Sequence, residues 1–533
     1  MPVTLSFFGG QNEIGGNKIL LDDGDTRLFL DFGQSFGFEG RYFDYPFLTA
    51  GEINDLELIG AIPQIKGLYC TEGKQAEYDD SGFIGLSGES ERRAVSAVLI
   101  SHAHLDHVGY LGLLRPDIPI YGSRITKHFI RLRREMFDTW QMKYDHESFH
   151  ELEDDEQISI GSARVTHIRI DHSIPGASAY IIEMGGLKIG YTGDFRLHGR
   201  RPELTKNFIH TAKDAGIDYL LCEGTRIESV IEPVTPDQEV ESHGMPSEEA
   251  VQSKLTEILS DASGLVVYDA SPADMDRMEM VIETAKSFGR DVVIDTKKAY
   301  LTEGINEIAE YYPNLMDFYR CHLLLSRKKQ RPVVRDGYPP RSKRKNETDE
   351  EYERYLSIFE TQREYPNLFI ETYEKGRLKY EKSIMSRFED LKSDGGIPKI
   401  LWGLGGRKEI IKNQNNLLLY TSYGPLTLMQ IGKGLKGTYI YGKAEPFNEE
   451  MEISFSKLVA WTELLGLDID YAHTSGHANR DHLKWTLDLI KPRFVLPIHT
   501  ERADLFEHIS DNVCRYKNNV RLKLTKNGPV IID

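Results

Sequence analysis

Four apolar runs in this chain end on side chains that bind metal ions, and this pattern limits the fold more than any other feature. The run Ala94–Ile100 leads into "SHAHLDH" at 101–107. "RIDHSIPGASAY" places His172 after a second run, "KIGYTGDF" places Asp194 after a third, and "RFVLPIHTE" places His499 after a fourth. Strand ends that each deliver a ligand imply sheets whose ends converge on one dinuclear site. Side chains at i and i+2 of an extended segment point the same way, so His102 and His104 can grip one ion together. Asp106 and His107 follow as the chain turns and can face a second ion nearby. Imidazole and carboxylate ligands without thiolate suit zinc or manganese. A fifth strand end, "RLFLDFG", carries Asp31 with no histidine beside it. Two readings stand for it: a turn aspartate, or a carboxylate that orients a ligand histidine.

The rest of the chain has to build around that site. Its 533 residues exceed one typical core, so two domains are expected. Up to about residue 210 it reads as short strands with glycine turns, among them 5–8, 18–21, 27–31, 97–100, 164–170, 179–183 and 188–191. From near Asp218 the pattern becomes strand, helix, strand. "GLVVYDA" is a buried strand, "DMDRMEMVIETAKSFG" an amphipathic helix ending at Gly289, and "DVVID" the next strand. That is a βαβ unit of a parallel sheet. From about Tyr471 the chain returns to helix ("DHLKWTLDLI") and strand ("RFVLPI"). The four cysteines form no CxxC pair, which argues against a disulfide framework or a thiolate zinc site. No run is apolar and long enough to span a bilayer, so no membrane partner is expected and the location expected is cytoplasmic. The net charge of −18 disfavours nucleic acid globally, but local fields and bound cations decide at a site. The basic stretch 327–345 can guide an RNA strand or be a solvated loop. "SYGPLTLM" reads as a strand-to-helix turn, with a 5′-phosphate pocket at Ser422 and Gly424 as the alternative.

Strand-aspartate, HxHxDH, later histidine and later "GD", in that order, resemble the metallo-β-lactamase superfamily. "LLCEGTR" with Glu223, "TSGHANRDH" with His477 and "LPIHTE" with His499 resemble motifs A, B and C of its β-CASP nucleases. "FFGGQNEIGGNKILL" and "DASPADMDRMEMVIETAKSFGRDVVI" are similar to stretches of RNase J-like chains. The resemblance implies an α/β fold, an αββα sandwich with an inserted α/β β-CASP domain. It divides the chain into 1–215 and 471–533 for the sandwich and 216–470 for the insertion. The chain stops soon after His499, which implies an archaeal-type member without the C-terminal domain of many bacterial relatives. Glutamate and glycine at motif A also depart from the bacterial aspartate and serine.

By the same resemblance, His102, His104 and His172 hold one ion, Asp106, His107 and His499 the other, and Asp194 bridges them. Two Zn2+ ions per chain are implied, with Mn2+ as the alternative. The centre would activate a water for in-line attack on phosphorus, with Asp106 taking the water's proton. His477 would protonate the leaving oxygen, with Glu223 behind it. Ser475, Gly476 and Ala478 would hold the phosphate through their N–H groups. Histidine at motif C marks the RNA branch, so the expected partner is single-stranded RNA. The expected activity is 5′→3′ exonucleolytic with endonucleolytic cleavage as a second mode, in RNA processing and decay. A homodimer or an RNA-processing complex is the expected assembly. The alternatives are an endonuclease resembling the polyadenylation cleavage subunit, and a small-molecule hydrolase. Motifs A and B argue against the last, which would not need the inserted domain.

Overall fold

The computed structural model describes residues 2–44, 47–69, 93–136, 148–228, 245–306, 308, 321–324, 342–343, 348–350, 352–353, 356, 379–393, 399–401, 403–422, 424–443, 449–516 and 520–532. Of the basic stretch 327–345, all but residues 342 and 343 lie outside them.

Period-two alternation builds the sandwich. In Arg27–Leu30, Leu28 and Leu30 point into one apolar core while Phe29 points into another. An eight-stranded sheet runs in the order Val530–Ile531, Arg521–Lys523, Thr4–Phe7, Ile19–Asp22, Arg27–Leu30, Ala97–Leu99, Ile120–Ser123, Phe149–Leu152. A six-stranded sheet runs Phe494–Ile498, Tyr219–Glu223, Leu187–Tyr191, Ser178–Met184, Ala163–Arg169, Gln157–Ile160. Leu5, Leu21, Leu28, Leu30 and Leu99 of the first meet Val165, Tyr180, Ile182, Ile189 and Leu221 of the second in one buried core. Helices Pro202–Ala215 and Arg480–Ile490 cover the second sheet's outer face through Phe208, Ile209, Leu483 and Leu487. This is the αββα arrangement the resemblance implies.

Strand direction gathers the candidate ligands. Arg27–Leu30 and Ala97–Leu99 are parallel neighbours. Leu187–Tyr191, Tyr219–Glu223 and Phe494–Ile498 are parallel to one another. Ala163–Arg169 pairs antiparallel with Ser178–Met184, which pairs antiparallel with Leu187–Tyr191, so it points the same way as the latter. The residues just beyond these six strands therefore emerge at one edge of the sandwich.

The inserted unit is a seven-stranded sheet in which every pair is parallel, ordered Ile400–Leu401, His322–Leu324, Asp291–Asp295, Leu417–Thr421, Leu265–Ala270, Gly437–Gly442, Leu467–Tyr471. The expected βαβ unit is Leu265–Ala270, helix Met275–Ser287 and Asp291–Asp295. Asp274 caps that helix by accepting from the Arg277 N–H at 3.0 Å, and Gly289 beyond its end takes φ of +72°. Of "SYGPLTLM", residues 424–429 lie in helix Gly424–Ile431, which follows strand Leu417–Thr421. The strand Tyr219–Glu223 lies past residue 215 yet belongs to the second sheet, between Leu187–Tyr191 and Phe494–Ile498. No helix among the described residues is long and apolar enough to cross a membrane.

One close approach locks the histidine-rich turn to the first sheet. The Asn17 N–H donates to the Asp106 carbonyl, Phe32 to His107 and Gln34 to Leu105, at 2.9–3.0 Å. Between them Gly33 lies so near that a Cβ there would stand 1.6 Å from the Asp106 oxygen. Gly33→Ala should therefore destabilise the fold by on the order of 1–3 kcal/mol or more, as overpacking against backbone does. Denaturant titration measures this; an unchanged midpoint and slope would refute it.

Candidate metal centre

The site starts at the end of strand Ala97–Leu99. The backbone stays extended through His104 (φ −71°, ψ 151°), which caps the four-residue helix Leu105–Val108. The i, i+2 pair therefore lies on one side, with His102 Nε2 and His104 Nδ1 3.0 Å apart. His172 Nε2 joins them at 3.1 Å from His104 Nδ1. The turn into the helix swings Asp106 and His107 toward the second sheet. His499 Nε2 lies 3.1 Å from Asp106 Oδ2, and His107 Nε2 lies 3.1 Å from Asp194 Oδ2. Asp194 Oδ2 is also 3.5 Å from His499 Nε2 and 3.7 Å from His102 Nε2, so this carboxylate stands between the two sets. Two groups of potential ligands form from the strand-end residues, His102, His104 and His172 in one and Asp106, His107, Asp194 and His499 in the other, and His172 and Asp194 form a third with His477.

Each ring's far nitrogen decides which lone pair faces the centre. Ser101 Oγ donates its proton to Asp31 Oδ2 at 2.6 Å, so it accepts from His102 Nδ1 at 3.0 Å. His172 Nδ1 donates to the Gly476 carbonyl at 2.6 Å. His107 Nδ1 donates to Asp31 Oδ2 at 2.6 Å. His499 Nδ1 donates to Thr225 Oγ1 at 2.7 Å, whose own proton goes to the His499 carbonyl at 3.2 Å. In its neutral form each of these four rings therefore presents the Nε2 lone pair inward. Asp31 accepts four hydrogen bonds: from the Ser101 amide and hydroxyl, His107, and the Tyr191 hydroxyl at 2.5 Å. It is fully buried and holds φ of +58°, and His499 holds +52°; both are left-handed conformations that these residues seldom adopt.

These donors fit metal cations. His102 Nε2 and His172 Nε2 both close on His104 Nδ1 at 3.0–3.1 Å, where one ring proton could serve only one of the two contacts, whereas a cation serves all three nitrogens. His107 Nε2 and Asp194 Oδ1 are buried without a directed hydrogen bond. Burial, then the neighbouring imidazoles, push His102 and His172 well below the usual histidine range. Burial takes His104 to about 3, against the pull of Asp106. Burial also opposes the charged forms of His107 and Asp194. There their mutual attraction wins, with Asp106 and His499 adding to it: His107 is raised and Asp194 held far down. One group is therefore neutral imidazole and the other is rich in carboxylate.

His477 stands beside this centre. Its Nδ1 is 3.4 Å from Glu223 Oε1 and 3.8 Å from Asp194 Oδ2. Burial lowers its pKa, but Glu223 and then Asp194 outweigh that and bring it to about 8. Glu223 is fixed in turn by the amides of Phe195 (3.3 Å) and Thr225 (3.0 Å). His477 also lies within ligand distance of His172 and Asp194, so geometry alone leaves it two roles. In the loop around it, the His477 N–H donates to Ser475 Oγ at 3.1 Å. The Ala478 N–H donates to the Phe195 carbonyl at 2.6 Å, and Ala478 is fully buried. That amide is not free for a phosphate, which removes Ala478 from the expected cradle of Ser475, Gly476 and Ala478. Ser101, Thr225 and Tyr191 escaped the sequence reading. Thr225 sits two residues after Glu223, the one spacing that hints at it.

Asp31→Asn should leave the fold in place but weaken metal binding by about 10–100-fold, as loss of a ligand-orienting partner does. Thr225→Val should act the same way through His499. Competition with a chromogenic chelator measures both, and wild-type affinity in both variants would refute the role.

Comparisons with known proteins agree with this geometry. A domain family described as "Beta-lactamase superfamily domain" matches residues 86–252, and one described as "Zn-dependent metallo-hydrolase RNA specificity domain" matches 467–513. Ribonuclease J of Mycolicibacterium smegmatis is 31% identical over 206 residues, 37% of this chain and 33% of that one. Ribonuclease J 2 of Streptococcus pyogenes is 22% identical over 535 residues, 99% of this chain and 75% of that one. Ribonuclease J of Thermus thermophilus is 23% identical over 94% of this chain and 68% of its own. The chain thus spans between a third and three quarters of the length of these relatives. An Enterococcus faecalis protein of unknown function shares the fold, with a TM-score of 0.64 at 20% identity over 98% of this chain and 100% of that one. With histidines and carboxylates at every expected strand end, residues 86–252 carry the beta-lactamase superfamily domain and residues 467–513 the metallo-hydrolase RNA specificity domain, and along nearly all of its length the chain is similar to ribonuclease J proteins.

Proposed function

We propose that this chain is a zinc-dependent ribonuclease that hydrolyses RNA phosphodiester bonds, acting 5′→3′ as an exonuclease with endonucleolytic cleavage as a second mode. The observation that carries the reading is Asp194, which stands between a neutral histidine group and a carboxylate-rich one with the His477–Glu223 pair alongside. The RNA substrate is supported by the relatives' name and the RNA-specificity domain match.

Two Zn2+ ions suit the donor set, with Mn2+ as the alternative: His102, His104 and His172 for one, Asp106, His107 and His499 for the other, and Asp194 to both. When bound, such ions lower the pKa of a water and neutralise charge on phosphoryl oxygens. The protein's own groups do the rest. Asp106 is partly exposed at the mouth of the site and can take the water's proton. Ser475 and Gly476 hold the scissile phosphate. His477, kept protonated near neutrality by Glu223, gives its proton to the leaving 3′-oxygen.

The deciding assay uses single-stranded RNA labelled at either end, with a 5′-monophosphate or a 5′-triphosphate. Mononucleotide release from the 5′ label is expected, and DNA of the same sequence should be cut far more slowly. Internal fragments alone would overturn the exonuclease reading. Elemental analysis should give two ions per chain, and chelation should abolish cleavage and lower Tm, because buried donors lose their partner. Activity and Tm that both withstand chelation would refute the metal assignment.

His477→Ala should keep both ions and still bind RNA, yet slow bond breaking by about 10²–10⁴-fold. RNA with a bridging 3′-sulfur should recover much of that loss, because thiolate leaves without a proton. Loss of an ion, or no recovery, would make His477 a ligand and not the acid.

A further inference from the structure

The segment that carries His477 is also the return crossing from the inserted unit to the sandwich. Five consecutive carbonyls of this crossing are each taken by a different donor. Ala472 accepts from the Tyr268 hydroxyl at 2.7 Å, and His473 from the Met245 amide at 2.7 Å. Thr474 accepts from Arg277 Nη2 at 3.4 Å, Ser475 from His198 Nε2 at 2.9 Å, and Gly476 from His172 Nδ1 at 2.6 Å. The first three donors belong to the inserted unit and the last two to the sandwich.

A buried ion chain joins the two sets of donors. Glu248, the first residue of helix Glu248–Asp261, takes Arg277 Nε and Nη2 in a fork at 2.7 Å each. The same carboxylate takes Arg196 Nη1 at 2.9 Å, and Arg196 Nε reaches Asp171 Oδ1 at 3.2 Å. Asp171 precedes the ligand His172, and Arg196 follows the ligand Asp194 by two residues. The four side chains are 0–1% exposed. A chain of charges this deep is a poor source of stability, since apolar replacements are often as stable. What it does supply is geometry, because the Arg277 fork on Glu248 and the Arg196 bridge from Glu248 to Asp171 fix the direction of each planar group.

We infer that Arg277, from the inserted unit, and His198, from the sandwich, are positioning residues that hold the Thr474 and Ser475 carbonyls and so set the His477 ring against the metal-ligand loops. The inference rests on the acid role proposed for His477. Arg277→Lys keeps a cation for Glu248 but cannot also span to Thr474. It should fold, keep its ions and leave KM nearly unchanged. Its kcat should fall by about 10–100-fold, the cost of a small misplacement of a catalytic group.

A merely structural role would not predict two further results. The 3′-sulfur RNA should recover the loss, as it should for His477→Ala. In the His477→Ala background, Arg277→Lys should cost nothing more, since it acts through a ring that is gone. His198→Phe should behave alike, and His198→Gln, which can still donate, should recover most of its loss; these variants carry the test if Arg277→Lys does not fold. Additive losses in the double variant, or Arg277→Lys and His198→Phe staying slow on a sulfur substrate that rescues His477→Ala, would overturn the positioning role. Failure of sulfur to rescue His477→Ala itself overturns the acid assignment, and the double-variant comparison then still decides the positioning.

Discussion

One buried carboxylate ties the two sheets to the metal site. Asp31 ends a strand of the first sheet and accepts from Ser101 on the next strand, from His107 on the histidine-rich turn, and from Tyr191 on the second sheet. Through the Ser101 hydroxyl it also sets the proton on His102. A single side chain therefore orients one ligand from each donor group and bonds the sheets across their shared edge. With its four donors satisfied, Asp31 lies fully inside and in a left-handed backbone conformation. Such a conformation costs on the order of 1 kcal/mol or more, which the surrounding bonds must offset.

Electrostatics follow from that arrangement. A chain of net charge −18 gathers Asp31, Asp106, Asp194 and Glu223 around one edge, the wrong sign for a phosphate ligand. The sign is set locally: buried carboxylates beside converging imidazole lone pairs create a demand for cations, and bound cations invert the field that an anion meets. Acidic composition and a phosphodiester substrate are thus compatible.

The sequence was most legible where chemistry and periodicity coincide. HxHxDH after an apolar run could be read because the i, i+2 rule holds until His104 and fails at the helix that follows. His172, Asp194 and His499 were readable because parallel strands bring their ends together. Asp31 kept two readings, since nothing local separates a turn aspartate from one that reaches Ser101, 70 residues away. Thr225, His198 and the Arg196–Glu248–Arg277 chain were invisible for the same reason: their roles are hydrogen bonds across dozens to hundreds of residues. Ala478 was misjudged because a loop's composition does not say which amides the fold has already used. The segment 216–223 looked like the start of the insertion, yet Tyr219–Glu223 is an inner strand of the second sheet and carries Glu223 to the site.

The two stacked rings of His477 and His499, with centroids 5.5 Å apart, show how near neighbours come to differ in chemistry. A ligand ring needs its proton on the far nitrogen and its lone pair inward. A neutral acceptor at Nδ1 achieves this without stabilising the cation: a serine hydroxyl for His102, a carbonyl for His172, a threonine hydroxyl for His499. An acid needs the reverse, a ring that stays protonated until the leaving group forms. For that its Nδ1 must face negative charge, and His477 faces Glu223 and Asp194. His107 is the instructive middle case. It too faces a carboxylate, Asp31, but its Nε2 is sealed inside beside Asp194 and has no path to a substrate. There the carboxylate strengthens a ligand. An acid must meet both conditions, charge behind the ring and access in front; His477, proposed for that role, is one-fifth exposed, while His107 and His499 are closed to solvent.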